Sequence, residues 1–215
     1  MGAAVELGRL HVITDTRPGR DPLGVVTAAL GAGAPVIQLR AKELPDQEAY
    51  ELGSRVAGEC AARAACFIVN DRVDLALAVG ADGVHVGAED LPVPVVRDLI
   101  GDRRVLGATA RDPETARRHE AAGATYLGVG PAYSTSSKDG LPAPLGPEGI
   151  ERIASAVSIP VIAVAGVTAS RVPELLAAGA YGVAVVSAVS DAADSRAATE
   201  ELLSALEAGE REVAL

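Results

Sequence analysis

A Gly-Ala step recurs four times along this chain, each time just ahead of an apolar extended run: Gly33-Ala34-Pro35-Val36, Gly80-Ala81-Asp82-Gly83-Val84, Gly123-Ala124-Thr125-Tyr126-Leu127 and Gly179-Ala180-Tyr181-Gly182-Val183. The step returns roughly every 50 residues, which is about two strand-helix pairs. Each Gly suits the residue that ends a helix, and each Ala lets the turn pack closely against a sheet. Apolar runs near 9–14, 35–40, 66–70, 83–87, 104–108, 125–129, 160–164 and 182–186 read as strands, each followed by a segment of helical spacing that ends near Gly or Pro. Eight such units in strict alternation predict a closed (β/α)8 TIM barrel, one domain over 1–215 with a frayed tail over roughly 208–215. The rival architecture is an open doubly wound sheet. It would want a Gly-rich dinucleotide turn after strand one, where Thr14-Asp15-Thr16-Arg17-Pro18 stands instead.

Composition agrees and narrows the partners. Aromatics are 2% of the chain and Trp is absent, so Val, Ala, Leu and Ile must fill the core, as in parallel sheets buried on both faces. A net charge of -10 argues against a nucleic-acid or anionic-membrane surface, and any anionic ligand then needs local cations, backbone amides or a divalent metal. Cys60 and Cys66 make no disulfide framework and suit a cytoplasmic setting. No apolar run approaches transmembrane length, the first residues lack a basic apolar leader, and Glu6 stands where a myristoylation signal wants Ser or Thr. The sequence leaves a homodimer open.

Parallel strands all deliver their ends to one edge, and in such barrels that edge carries the chemistry. Asn70-Asp71 follows strand three and Glu89-Asp90 follows strand four, so two acids reach that edge from neighbouring strands. Either Asp71 or Asp90 could simply cap the next helix. Together they suit Mg²⁺, which takes one or two carboxylates plus substrate phosphate oxygens. On strand two, Val36, Gln38 and Arg40 share a side by the period of two, and Lys42 follows. Facing inward, Gln38, Arg40 and Lys42 form a wall suited to phosphate or pyrophosphate; the plainer reading is an internal salt bridge. Of 19 basic residues only Lys42 and Lys138 are lysines, and Asn70 is the sole asparagine; all three follow strands. His85 reads as an inward, satisfied core histidine. Residues 130–146, rich in Gly, Pro and hydroxyls, form a connection too long for a simple turn and suited to an oxyanion. Gly166 after strand seven and Ser187 after strand eight fall where barrels commonly cradle phosphate, so the mouth should take two anionic groups.

The segments VIQLRAK, IVNDRVDLALAVGADGVHVGAEDLP, YLGVGPAYSTSSK and IPVIAVAGV with GVAVVSAV resemble, in order and spacing, the signatures of thiamine phosphate synthases. The resemblance implies an enzyme that joins an aminopyrimidine methyl pyrophosphate to a thiazole phosphate, with Mg²⁺, one per subunit, and release of pyrophosphate by a dissociative route. It implies that Gln38, Leu39, Arg40, Ala41, Lys42, Asn70, Thr109 and Lys138 hold the pyrimidine pyrophosphate, that Thr135, Ser136, Ser137, Gly166, Val186 and Ser187 receive the thiazole phosphate, and that Asp71 and Asp90 bind the metal. Thr109 stands where the family usually has Ser, Ser137 where it has Thr, and Ala165-Gly166 where it has Gly-Gly. The related thiazole tautomerases would place an acid-base histidine two residues after Thr109, where Arg111 stands, and Arg does not shuttle protons near neutral pH. A Schiff-base aldolase would want an inward strand lysine, and a non-catalytic phosphometabolite-binding barrel is the remaining reading.

Overall fold

The computed structural model describes residues 7–135, 140 and 142–213. Eight parallel strands close on themselves in chain order: β1 (Leu10–Ile13), β2 (Val36–Leu39), β3 (Cys66–Asn70), β4 (Gly83–Val86), β5 (Val105–Ala110), β6 (Tyr126–Val129), β7 (Val161–Val164) and β8 (Gly182–Val185). Closure is made by β1 against β8, with His11 opposite Ala184 and Val12 opposite Val185. The open doubly wound sheet is thereby excluded.

The main helices between strands are α1 (Pro22–Gly31), α2 (Asp46–Ala61), α3 (Val73–Ala78), α4 (Val93–Ile100), α5 (Pro113–Ala121), α6 (Gly146–Ala154) and α7 (Val172–Ala177). After β8 come a single turn, α8 (Ser187–Ser190), and α9 (Ser195–Val213). Because α9 is helical to Val213, the helix runs past position 208, where the sequence suggested fraying. Starts are written locally: the Asp21 carboxylate accepts from the Gly24 N–H ahead of α1, and Asp112 accepts from Thr115 ahead of α5, each followed by a Pro whose fixed φ suits the first turn. No described helix is long and apolar enough to cross a membrane.

The Gly-Ala repeat is a stop signal. Gly33, Gly80, Gly123 and Gly179 all have positive φ, between 69° and 94°. The Ala after each donates its N–H five residues back, Ala34 to Ala29, Ala81 to Ala76, Ala124 to His119 and Ala180 to Leu175. That bond satisfies a carbonyl the helix end would leave bare, and turns the chain straight into the next strand.

Two apolar layers follow from the period of two along each strand. Outward residues such as Val12, Ile37, Leu39, Phe67, Val69, Leu106 and Leu127 are buried under the helices. Inward residues Ile13, Val36, Ile68, Tyr126, Ile162 and Ala184 pack with one another inside the barrel. Above this inner plug the inward positions turn polar, and there the chemistry sits.

Candidate active site

A cavity of about 230 Å³ opens at the carboxyl ends of the strands, lined by Gln38, Arg40, Lys42, Asn70, Asp71, His85, Asp90, Thr109, Thr135, Gly166, Val186 and Ser187 among others. Residues proposed from seven separate strand ends and loops, those of β2 to β8, thus share one space. Leu39 and Ala41 do not send side chains there; both are buried in the layer under the helices, and could meet a ligand only through backbone. Ser136, Ser137 and Lys138 lie outside the described residues. A larger cavity of about 860 Å³ lies toward the opposite end, lined by Leu7–Leu10, Cys60, Cys66 and α9 residues, and holds none of the proposed groups.

The acids are not helix caps. The residues preceding α3 and α4 are Arg72 and Pro92, and neither helix has a side-chain cap. Asp71 instead occupies the left-handed region at φ 66°, a costly conformation for a non-Gly residue that is found chiefly at functional sites. Its N–H is held by the His85 carbonyl at 2.8 Å, and the turn aims its carboxyl at Asp90 and Lys42. Asp90 accepts from the Gly87 N–H at 2.8 Å. The Lys42 ammonium lies 3.2 Å from Asp71 and 3.6 Å from Asp90, so the internal ion pair foreseen for the strand-two wall is made by Lys42. Arg40 makes no salt bridge among the described residues. Its backbone is gripped instead, its N–H by the Thr14 hydroxyl at 3.0 Å and its carbonyl by the Thr16 hydroxyl at 2.9 Å.

The electrostatics record this crowding. Burial first, then the contact with Asp90, pushes Asp71 up from 3.8 to about 6, against the pull of Lys42. For Asp90 burial also works upward, but the Asp71 contact, the Gly87 amide and Lys42 together hold it below its ordinary value. Burial opposes the Lys42 charge, yet Asp71 and Asp90 overcome it and leave its pKa raised. The Asn70 Oδ1 atom beside them is buried and has no hydrogen-bond partner among the described residues. An orphaned acceptor of this kind marks a place where a cation, water or ligand donor belongs.

On the far side of the mouth, Ala165 and Gly166 both have positive φ, 72° and 68°. A Cβ on Gly166 would come within 2.7 Å of the Ser134 carbonyl and 2.8 Å of Tyr133, so the backbone there passes under residues 133–134 with no space for a side chain. Ala165 has the same handedness without the freedom. Replacing Ala165 by Gly is expected to relieve strain beyond the entropy that Gly adds to the unfolded chain, raising stability by about 0.5–1 kcal/mol in urea unfolding. A loss of stability would show that this turn is not strained.

Three residues important to the mouth were not singled out from the sequence. The loop after β1 was weighed only against a Gly-rich fingerprint, yet Asp15 lines the cavity, 6% exposed and ion-paired to Arg17 at 2.6 Å and Arg20 at 3.2 Å. The pairing with Arg17 outweighs burial and lowers the Asp15 pKa. His11 and Tyr126 sit at inward positions on β1 and β6, a signal available from the period of two. His85 faces inward with both ring nitrogens satisfied, by Tyr126 and Thr109, as expected, but it is half-buried on the cavity wall instead of in the core; desolvation lowers its pKa to about 4, so it is neutral at physiological pH.

Residues 10–189 match the profile of a family described as thiamine monophosphate synthase. The chain belongs to that family. It is 57% identical to a thiamine-phosphate synthase of Salinispora arenicola over 203 residues, 93% of this chain and 98% of the relative. It is 47% identical to the thiamine-phosphate synthase of Moorella thermoacetica over 90% of this chain and 93% of that one. Among solved structures, a thiamine phosphate pyrophosphorylase from Pyrococcus furiosus superposes with a TM-score of 0.86 at 40% identity, covering 94% of this chain and 96% of that one. As a member of the thiamine monophosphate synthase family the chain is a transferase of thiamine biosynthesis on a single TIM barrel.

Proposed function

We propose that the mouth of this thiamine-phosphate synthase binds an aminopyrimidine methyl pyrophosphate against β2, β3 and β5 and a thiazole phosphate against β7 and β8, and joins them with release of pyrophosphate. The observation that carries this assignment is the meeting of Lys42, Asp71 and Asp90 beside the unsatisfied Asn70 oxygen, at the rim of the one cavity that also contains Arg40 and Gly166. Arg40 and Lys42 suit the pyrophosphate, Arg by its planar fork and Lys as a point charge. Leu39 and Ala41 contribute backbone. Thr109 offers its hydroxyl to the pyrimidine, and Lys138 is assigned to the pyrophosphate on the family pattern.

Asp71, Asp90 and the Asn70 oxygen fit Mg²⁺. They supply hard oxygen donors, the described residues hold no group of three or more acidic or His/Cys ligands, and Mg²⁺ keeps most of its shell for water and phosphate. When bound, it would neutralise charge on the departing pyrophosphate. The bond between the pyrimidine methylene carbon and the pyrophosphate oxygen breaks, and the thiazole nitrogen supplies the electron pair that fills the vacant carbon. No proton needs to move, so the protein's work is positioning and charge stabilisation. Gly166 and the Val186-Ser187 turn, with Thr135, Ser136 and Ser137, would hold the thiazole phosphate through backbone and hydroxyl groups. The two free, buried cysteines suit a reducing, cytoplasmic setting.

The other reactions fit less well. Arg111 donates to the Ala143 carbonyl at 2.8 Å and provides no acid-base pair for a tautomerase. A Schiff-base lysine needs a lowered pKa, whereas that of Lys42 is raised. Pyrophosphate should appear only when both precursors and Mg²⁺ are present, and Lys138→Ala should abolish it. Release from the pyrimidine substrate alone at the full rate would overturn the two-substrate reading.

A further inference from the structure

A chain of hydrogen bonds crosses the inside of the barrel beneath the mouth. His11 Nε2 lies 3.1 Å from the Gly8 carbonyl, and His11 Nδ1 lies 2.7 Å from the Gln38 amide nitrogen. The same nitrogen is 3.2 Å from the Tyr126 hydroxyl, which is 2.9 Å from His85 Nδ1, and His85 Nε2 is 3.1 Å from the Thr109 hydroxyl. The direction of this chain follows from one end. A carbonyl can only accept, so the His11 proton sits on Nε2 and Nδ1 is a bare acceptor. Gln38 must therefore turn its NH₂ toward His11 and spend its second hydrogen on Tyr126. Tyr126 then donates to His85 Nδ1, which leaves the His85 proton on Nε2, facing Thr109. Thr109 accepts it and keeps its own hydrogen for the cavity, while the Gln38 carbonyl oxygen has no partner among the described residues and is left free for a ligand in the cavity that Gln38 and Thr109 both line.

The reverse order would present the opposite face. It requires His11 to carry its proton on Nδ1, which sets a lone pair against the Gly8 carbonyl unless the ring is doubly protonated. Burial lowers the His11 pKa to about 3 and that of His85 to about 4, so both rings are neutral near pH 7.

We propose that His11 is a positioning residue: through Gln38, Tyr126 and His85 it fixes the Gln38 oxygen as an acceptor and the Thr109 hydroxyl as a donor toward the pyrimidine ring, and so sets which ring substituents the site takes. The inference rests on the assignment of Gln38 and Thr109 to the pyrimidine. An acceptor at Gln38 suits an amino group on the ring and disfavours a carbonyl at the same place.

The test combines kinetics with tautomer assignment by ¹⁵N NMR of the wild-type protein. Both His11 and His85 should show the Nε2–H form, and an Nδ1–H form at either overturns the proposal, whatever the variants do. His11→Phe keeps the ring but removes the acceptor, and should raise KM for the pyrimidine pyrophosphate about tenfold with KM for the thiazole phosphate unchanged. His11→Asn, whose amide oxygen can take the Nδ1 role, should restore most of the loss. Equal rises in both KM values for His11→Phe would indicate a loosened barrel and sink the positioning role. Gln38→Ala separates the two layers of the argument. If it raises the pyrimidine KM and His11→Phe does not, the positioning role fails and the site assignment stands; if Gln38→Ala leaves that KM unchanged, the assignment itself fails.

Discussion

Asp71→Asn is expected to give a folded protein that turns over about 10²–10³-fold more slowly and unfolds at a slightly higher temperature than the wild type. Asn is the informative replacement because Asp71 sits at φ 66°, a region that Asn adopts at lower cost than Ala. Burial and Asp90 raise Asp71 from 3.8 to about 6. A raised carboxyl binds its proton more tightly when folded, so its contribution to stability is complete below about pH 4 and lost as pH rises through about 6. Asp90 is shifted the opposite way, and part of its contribution is lost as pH falls. The net relief on neutralising Asp71 is therefore modest, about 1 kcal/mol at pH 7.5, or ~2–4 °C in Tm for a chain of this size. Calorimetry in EDTA from pH 4 to 8 should show the wild type losing stability over the upper part of that range and Asp71→Asn losing less. Mg²⁺ added at pH 7.5 should raise the wild-type Tm and leave the variant unmoved. Wild-type kcat at saturating substrates and Mg²⁺ would remove Asp71 from the mechanism.

The fold was readable because its signals are local and repeated. The Gly-Ala steps end helices by backbone geometry that only a few residues support, and Asp21-Pro22 and Asp112-Pro113 begin them by equally local means. The positions of Gln38, Arg40, Asn70, Asp71 and Asp90 at one edge followed from parallel topology alone. What the sequence could not separate was whether Asp71 caps a helix or faces its neighbour. Both readings use the same residue at the same strand end, and the choice depends on a single backbone angle set by the His85 carbonyl. That the barrel's inward polar residues bond to one another was hidden for a related reason. His11, Gln38, Tyr126 and His85 lie on four different strands, up to 115 residues apart between His11 and Tyr126, and only the closed register brings them together. The loop after β1 escaped notice because its work is done by Thr14 and Thr16 on the backbone of Arg40, a contact with no sequence pattern of its own.

The same inner layer yields the largest expected loss of stability. In register, Gly107 lies between His85 on β4 and Tyr126 on β6. A Cβ at Gly107 would stand 2.2 Å from the Tyr126 ring, and 2.4 Å from His85 Nδ1. Tyr126 is 1% exposed and has nowhere to go, and His85, half-buried at the cavity wall, is tied to it through the hydroxyl bond in a chain that continues to Gln38 and Thr109. Gly107→Ala must therefore push strands β4 and β6 apart or tear the polar chain, and should cost about 3 kcal/mol or more, a fall of ~6–12 °C in Tm. Because the nearer clash is with Tyr126, and His85 is free to turn toward the cavity once its bond to the Tyr126 hydroxyl is gone, the cost should be strongly non-additive with loss of Tyr126. In a Tyr126→Leu background, Gly107→Ala should cost at most about 1 kcal/mol, a coupling of ~2 kcal/mol between residues in contact. Additive losses in urea unfolding of the four proteins would mean that Gly107 is needed for its backbone and not for the room it leaves. The coupling, if found, ties the packing of the barrel to its chemistry, since the space Gly107 leaves free is what lets His85 and Tyr126 carry the hydrogen-bond chain to the mouth.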